Sequence, residues 1–146
     1  MSPRTLTIAL AGNPNSGKTT IFNNLTGAHQ KVGNWSGVTV EKKEGVIHRN
    51  GYELKIIDLP GTYSLTPFSI EEIVARNFIL EEHPDVVIDI IDASNLERSL
   101  YLATQLREID CNVLFAVNLA DMAHSRGITI HPAMRSEMMV VPSVCT

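Results

Sequence analysis

Apolar and polar positions along this chain change period several times, and each change marks an element. The first apolar run, Leu6-Thr7-Ile8-Ala9-Leu10-Ala11, is short and has strand character. After a glycine-containing octet, Thr20-Ile21-Phe22-Asn23-Asn24-Leu25 is compatible with a helix. Gly27 to Gly37 is rich in glycine and asparagine and reads as a loop, with Trp35 an unusual large apolar residue inside it. Val38 to His48 and Tyr52 to Ile57 are β-rich and meet at Arg49-Asn50-Gly51, where Asn-Gly predicts a hairpin of antiparallel neighbours. Ser64 to Ser69 is a loop broken by Pro67, and Ser69 is the expected N-cap of a helix running to about Glu82, before Pro84. Val86 to Asp92 reads as a strand buried on both faces. A helix capped by Ser94 or Asn95 follows, with Leu96, Leu100, Ala103, Leu106 and Ile109 at helical spacing. Cys111 to Val117 is a second buried strand, a short polar helix to about Arg126 comes next, and Met138 to Pro142 is a last strand. This alternation predicts an α/β domain with a mostly parallel sheet and one antiparallel edge strand.

Composition narrows the function classes. The 146 residues make one domain, 44% apolar and 19% charged, within the range of folded globular proteins. Sixteen acidic against twelve basic residues give a net charge of −4, and no Lys/Arg cluster exceeds a pair. A nucleic-acid binder needs a basic stripe, so nucleic acid is not the expected partner. Cys111 and Cys145 form no C-x-x-C pair and read as reduced thiols, and His29, His48, His83, His124 and His131 show no metal-ligand spacing. No apolar run reaches the length of a membrane span.

The chemistry lies where predicted strands end, which is where an open α/β sheet binds ligands. Gly12-Asn13-Pro14-Asn15-Ser16-Gly17-Lys18-Thr19 fits G-x-x-x-x-G-K-[ST] between a strand and a helix. Gly12 and Gly17 let backbone N–H groups converge on an anion, with Asn13, Pro14, Asn15, Ser16 and Thr20 counted in the same nucleotide-binding set. Lys18 is expected on the β- and γ-phosphates, and the Thr19 hydroxyl on Mg²⁺. Asp58, ending a strand, is expected to hold Mg²⁺ through a water or directly, and the Gly61 N–H to face a γ-phosphate. Thr39 sits in the loop expected to cross the phosphates and completes the Mg²⁺ shell. Asn118 and Asp121, spaced N-x-x-D, supply a carboxylate for the paired N–H donors of guanine.

This ordered set resembles that of the TRAFAC-type G proteins, which implies a P-loop GTPase (Ras-like) fold with helices on both faces of the sheet. Three stretches narrow the resemblance: the octet itself, Val-Gly-Asn-Trp-Ser-Gly-Val-Thr-Val-Glu from Val32, and Asp-Leu-Pro-Gly-Thr-Tyr-Ser-Leu from Asp58. Together they look like the N-terminal cytosolic G domain of the FeoB family of bacterial ferrous-iron transporters. The resemblance implies GTP and GDP as ligands, helical and membrane domains of the same full-length transporter as partners, small cytosolic accessory proteins as further partners, and a place at the cytoplasmic face of the inner membrane. It also implies K⁺, held by Asn15 beside the phosphates under a loop containing Gly33 and Trp35, whose backbone carbonyls face the ion. Such a cation does the work of an arginine finger.

Two departures bear on activity. Many small G proteins carry a water-orienting glutamine directly after D-x-x-G; here the position is Thr62, and the following loop has no glutamine. Slow hydrolysis organised by backbone groups, a water bridge, a cation or a partner is therefore expected. The fifth G-protein motif should fall near Ser143 and Val144 and matches poorly, which leaves ATP open beside GTP. The residues 1–146 read as a single G domain without its terminal helix, a loss that would favour self-association. A soluble G protein of the ribosome- or RNA-associated type, and a nucleotide-gated switch with incidental hydrolysis, are the alternative readings.

Overall fold

Along the first apolar run, Ala9 and Ala11 are buried in one cluster and Leu10 in another. That alternation is the mark of a sheet covered on both faces. The computed structural model describes residues 4–109 and 111–118 in full and 138–142 in backbone. In chain order its elements are β1 (Arg4–Gly12), α1 (Lys18–Thr26), β2 (Gln30–Asn34), β3 (Glu41–Arg49), β4 (Tyr52–Asp58), α2 (Ile70–Glu82), β5 (Val86–Asp92), α3 (Leu96–Glu108), β6 (Val113–Asn118) and β7 (Met138–Pro142). The short polar helix expected to about Arg126 lies outside the described residues.

The strands form one sheet in the order β2-β3-β4-β1-β5-β6-β7. At its centre β1 runs parallel to β4, with Leu10 opposite Asp58, and parallel to β5, with Gly12 opposite Ile90. β5 runs parallel to β6, with Asp92 opposite Asn118. The C-terminal ends of four parallel strands therefore converge on one side, and all three candidate motifs among the described residues lie there.

The edges carry more antiparallel pairing than the single edge strand expected. β3 is antiparallel to β4, β2 adds outside β3, and β7 is antiparallel to β6. β2 also corrects the loop expected from Gly27 to Gly37, since Gln30 pairs with Gly45 and Asn34 with Glu41. Four of its five residues are exposed. A strand solvated on both faces needs no apolar alternation, so its sequence carries no periodic signal. β3 starts at Glu41 rather than Val38, because residues 35–40 close a tight loop: Trp35 N–H donates to the Val40 carbonyl at 2.9 Å, and Val38 N–H to the Trp35 carbonyl at 3.2 Å. The Asn-Gly hairpin is present. Arg49 pairs with Tyr52, and Asn50 (φ 54°) and Gly51 (φ 80°) both take the left-handed backbone that a two-residue turn requires.

α2 and α3 cover one face, where Ala75, Phe78, Leu102 and Leu106 meet Ala9, Ile57 and Val87. α1 covers the other through Phe22, packed with Leu10 and Ile56. α1 has no side-chain hydrogen bond at its N-cap. A missing cap costs about 1 kcal/mol, whereas burying Phe22 completely contributes about 1.5–3 kcal/mol, so packing rather than capping holds this helix. α2 is capped as expected: Ser69 Oγ accepts from the Glu72 N–H, and Glu72 Oε2 from the Phe68 N–H, each at 3.2 Å. In α3 the apolar spacing overstates the core face. Ala103 and Leu106 are buried beside Ser99 and Leu102, but Leu96 and Leu100 stand about half exposed.

Candidate functional site

The chain leaves β1 at Gly12 and enters α1 at Lys18, and the loop between them turns through two left-handed residues, Asn15 (φ 66°) and Gly17 (φ 93°). Gly17 at the N-cap leaves the helix N–H groups open to the loop's concavity. Gly12 has a steric reason to be glycine, because a Cβ there would lie 2.9 Å from both the Ile90 carbonyl oxygen and Ser16 Oγ. Ser16 N–H donates to the Asn13 carbonyl at 3.2 Å, and Asn118 Nδ2 donates to the Ser16 carbonyl at 3.1 Å. The fourth-motif asparagine thus braces the phosphate loop from β6. The loop surrounds a cavity of about 460 Å³ lined by Asn13, Pro14, Asn15, Gly17, Lys18, Thr19, Thr20 and Gly61.

The third motif arrives from β4. Leu59 N–H donates to the Leu10 carbonyl and Thr62 N–H to the Gly12 carbonyl, both at 3.0 Å, so the segment after Asp58 extends the sheet's pairing alongside the loop. Gly61 is pressed against Pro14, and a Cβ on it would come within 3.1 Å of the Pro14 backbone. Lys18 forms a buried ion pair with Asp58. Around the cavity this arrangement gathers a cation, a helix N-terminus with no acidic residue in its first turn, and backbone N–H groups. Such a site takes an anion of phosphate type. Its hydroxyl and carboxylate donors, Thr19 and Asp58, are hard oxygen ligands that suit Mg²⁺.

One buried acid has no place in these motifs. Asp89 of β5 sits between Ala11 and Phe115 in register and is 1% exposed, and its Oδ2 has no hydrogen-bond partner among the described residues. Burial pushes its carboxyl up from 3.8 to about 7. A charged residue inside the run Val86 to Asp92, where both faces are covered, was the available signal for it.

The other expected site residues divide. Thr62 is buried beside the loop, though it does not line the cavity. Gly33 lies in the exposed edge strand β2 opposite Lys42, and Thr39 is exposed in the turn before β3. Trp35 is seated elsewhere, edge-on against Phe78 of α2 with ring centroids 5.6 Å apart and the Lys42 ammonium 4.8 Å over its ring. None of these three lines the phosphate cavity in this structure. Asp121, Ser143 and Val144 lie outside the described residues.

The family model of ferrous iron transport protein B matches residues 6–146. The Fe(2+) transporter FeoB of Escherichia coli strain K12 is 48% identical over 148 residues, which cover 97% of this chain and 19% of that protein. The Fe(2+) transport protein A/Fe(2+) transporter FeoB fusion protein of Porphyromonas gingivalis is 50% identical over 140 residues, 95% of this chain and 17% of that one. The chain therefore spans only 17–19% of the length of these relatives. The crystal structure of the G domain of the T. maritima FeoB iron transporter superposes with a TM-score of 0.79 at 49% identity, covering 84% of this chain and 77% of that one. A mutant of S. thermophilus NFeoB bound to GDP gives 0.77 at 50% identity, over 86% and 49% of the two chains. Matched by its family over nearly all its length and by solved G domains in three dimensions, the chain belongs to the FeoB family of ferrous iron transport proteins, and its fold is that family's G domain.

Proposed function

We propose that this chain binds and hydrolyses GTP as the regulatory G domain of a ferrous-iron transporter whose helical and membrane domains follow in the same polypeptide, at the cytoplasmic face of the inner membrane. The observation that carries the reading is the convergence of three motifs on one phosphate loop. Lys18 meets Asp58, Gly61 meets Pro14, and Asn118 holds the Ser16 carbonyl, although these partners lie far apart in sequence. The GDP bound to the S. thermophilus relative supports guanine nucleotide as the ligand.

In this reading the loop N–H groups and Lys18 bind the β- and γ-phosphates, so Lys18 exchanges Asp58 for phosphate oxygens. Thr19, Thr39 and Asp58 would hold Mg²⁺, whose chemistry there would be charge neutralisation on the phosphates. Asn15 would be the side-chain ligand for K⁺, and Gly33 and Trp35 would contribute backbone carbonyls if residues 33–39 moved over the phosphates. Asn118 and Asp121 take the guanine base, with Ser143 and Val144 lining it. With Thr62 where a glutamine is usual and its N–H engaged by the Gly12 carbonyl, this reading assigns orientation of the attacking water to the remaining backbone groups of the loop after Asp58.

The test is steady-state hydrolysis of GTP and of ATP, each in potassium and in sodium at equal ionic strength. Faster GTP turnover in potassium is the expected result. Equal rates in the two salts would remove Asn15 from the mechanism, and ATP turnover matching GTP would show that the weak fifth motif has relaxed base choice.

A further inference from the structure

The loop after Gly61 is held at two points, and only one belongs to the phosphate-binding motifs. At its near end Thr62 N–H is bonded to the Gly12 carbonyl at 3.0 Å. At its far end the Leu65 N–H donates to Gln105 Oε1, and Gln105 Nε2 donates to Thr66 Oγ1 at 3.1 Å. One amide side chain on α3 thus accepts from the loop and donates to it at once. Leu65 itself is buried in the cluster containing Leu102 and Leu106, so this anchor rests on the core. The same stripe of α3 makes a second contact, the Arg98 guanidinium lying 5.3 Å over the Tyr63 ring.

This far anchor matters because of what the loop lacks. Where a glutamine side chain orients the water, small backbone shifts are absorbed by its rotamers. Where the backbone orients the water, the position of the loop becomes the catalytic variable, and a misplacement of about 1 Å can cost up to ~10²-fold. We propose that Gln105 is a positioning residue for hydrolysis: by clamping Leu65 and Thr66 it fixes the stretch from Gly61 to Leu65 against the phosphate loop. The inference rests on the GTPase reading above. Leucine at this position offers neither the acceptor for Leu65 nor the donor for Thr66.

The experiment measures single-turnover GTP hydrolysis and GDP affinity in the 146-residue chain. Gln105→Leu should slow hydrolysis about tenfold, as expected for two hydrogen bonds that hold a reactive geometry, with GDP affinity within about twofold. Thr66→Val removes only the bond from Gln105 Nε2 and should give a smaller loss. Gln105→Leu combined with Thr66→Val should be no slower than Gln105→Leu alone. Hydrolysis unchanged in Gln105→Leu, affinity falling in parallel with rate, or losses that simply add would each overturn the clamp while leaving the GTPase reading intact. A wild-type chain that binds GDP but turns over no GTP would overturn both. If Gln105→Leu does not fold, Thr66→Val decides the question by the same split between rate and affinity.

Discussion

Two glycine-containing segments were both expected to touch the nucleotide, and the structure treats them in opposite ways. Gly12 to Lys18 is braced from three sides, by β6 through Asn118, by the third motif through Thr62 and Gly61, and by β5 through the Ile90 carbonyl. Gly33 to Thr39 has no such bracing near the cavity: it begins in an exposed edge strand and anchors itself by Trp35 to α2. The first segment is a site built by the fold. In the function proposed above the second is a site the ligand would have to build, since its contacts hold it elsewhere. A binding element of the second kind spends part of the ligand's binding energy on rearrangement, as conformational selection requires.

The largest expected effect breaks the built half. Lys18→Ala should weaken nucleotide binding by at least about a hundredfold and should also destabilise the chain by about 3–5 kcal/mol, because Asp58 is left buried and unpaired. Adding Asp58→Asn to Lys18→Ala should restore the melting temperature without restoring affinity; calorimetry beside a titration of GDP separates the two.

Next comes the acid under the loop. Asp89 has its folded pKa raised to about 7 from 3.8, so its contribution to stability is complete below about pH 4 and is lost as pH rises toward and through 7. Asp89→Asn should therefore stabilise the chain by about 2–4 kcal/mol at pH 8, and the gap should close as the pH is lowered toward 4. Denaturant midpoints of the two proteins across that range are the check, and a constant gap would show that Asp89 does not titrate between them.

The glycines then sharpen the contrast. Gly12→Ala should cost about 1–3 kcal/mol, because its Cβ would strike the Ile90 backbone. Asn15→Ala should remove potassium stimulation, about tenfold or less in rate, and leave GDP affinity nearly unchanged. Gly33→Ala should stay within about 0.5 kcal/mol, since nothing lies within 4 Å of the position its Cβ would take. A large folding defect in Gly33→Ala would erase the distinction between the two segments.

How far the sequence could be read follows the same division. The phosphate loop was legible because its chemistry is contiguous: turn glycines, a strand before and a helix after need no knowledge of distant residues. Asp58 was legible because it ends a β-rich run, and Gly61 because it completes D-x-x-G directly after it. β2 was not, because an edge strand paired only through its backbone leaves no apolar period. The α3 core face was half misread, since Leu96 and Leu100 fit helical spacing as well as Ser99 and Leu102 do, and only the packed sheet chooses between them. Gln105 carried no signal at all; its meaning depends on a loop some forty residues earlier that arrives beside it only in the fold.

The seat of Trp35 has one more consequence. It is the chain's single tryptophan, against three tyrosines, so the indole can be excited alone. Edge-on to Phe78 and beneath Lys42 it emits from a half-buried, cation-bearing environment. The proposed function has residues 33–39 leave that seat for the phosphates, and such a movement would change both the colour and the yield of that emission. The segment whose position sequence reading finds hardest to assign carries its own optical reporter, and a stopped-flow trace of the unlabelled protein would time its movement.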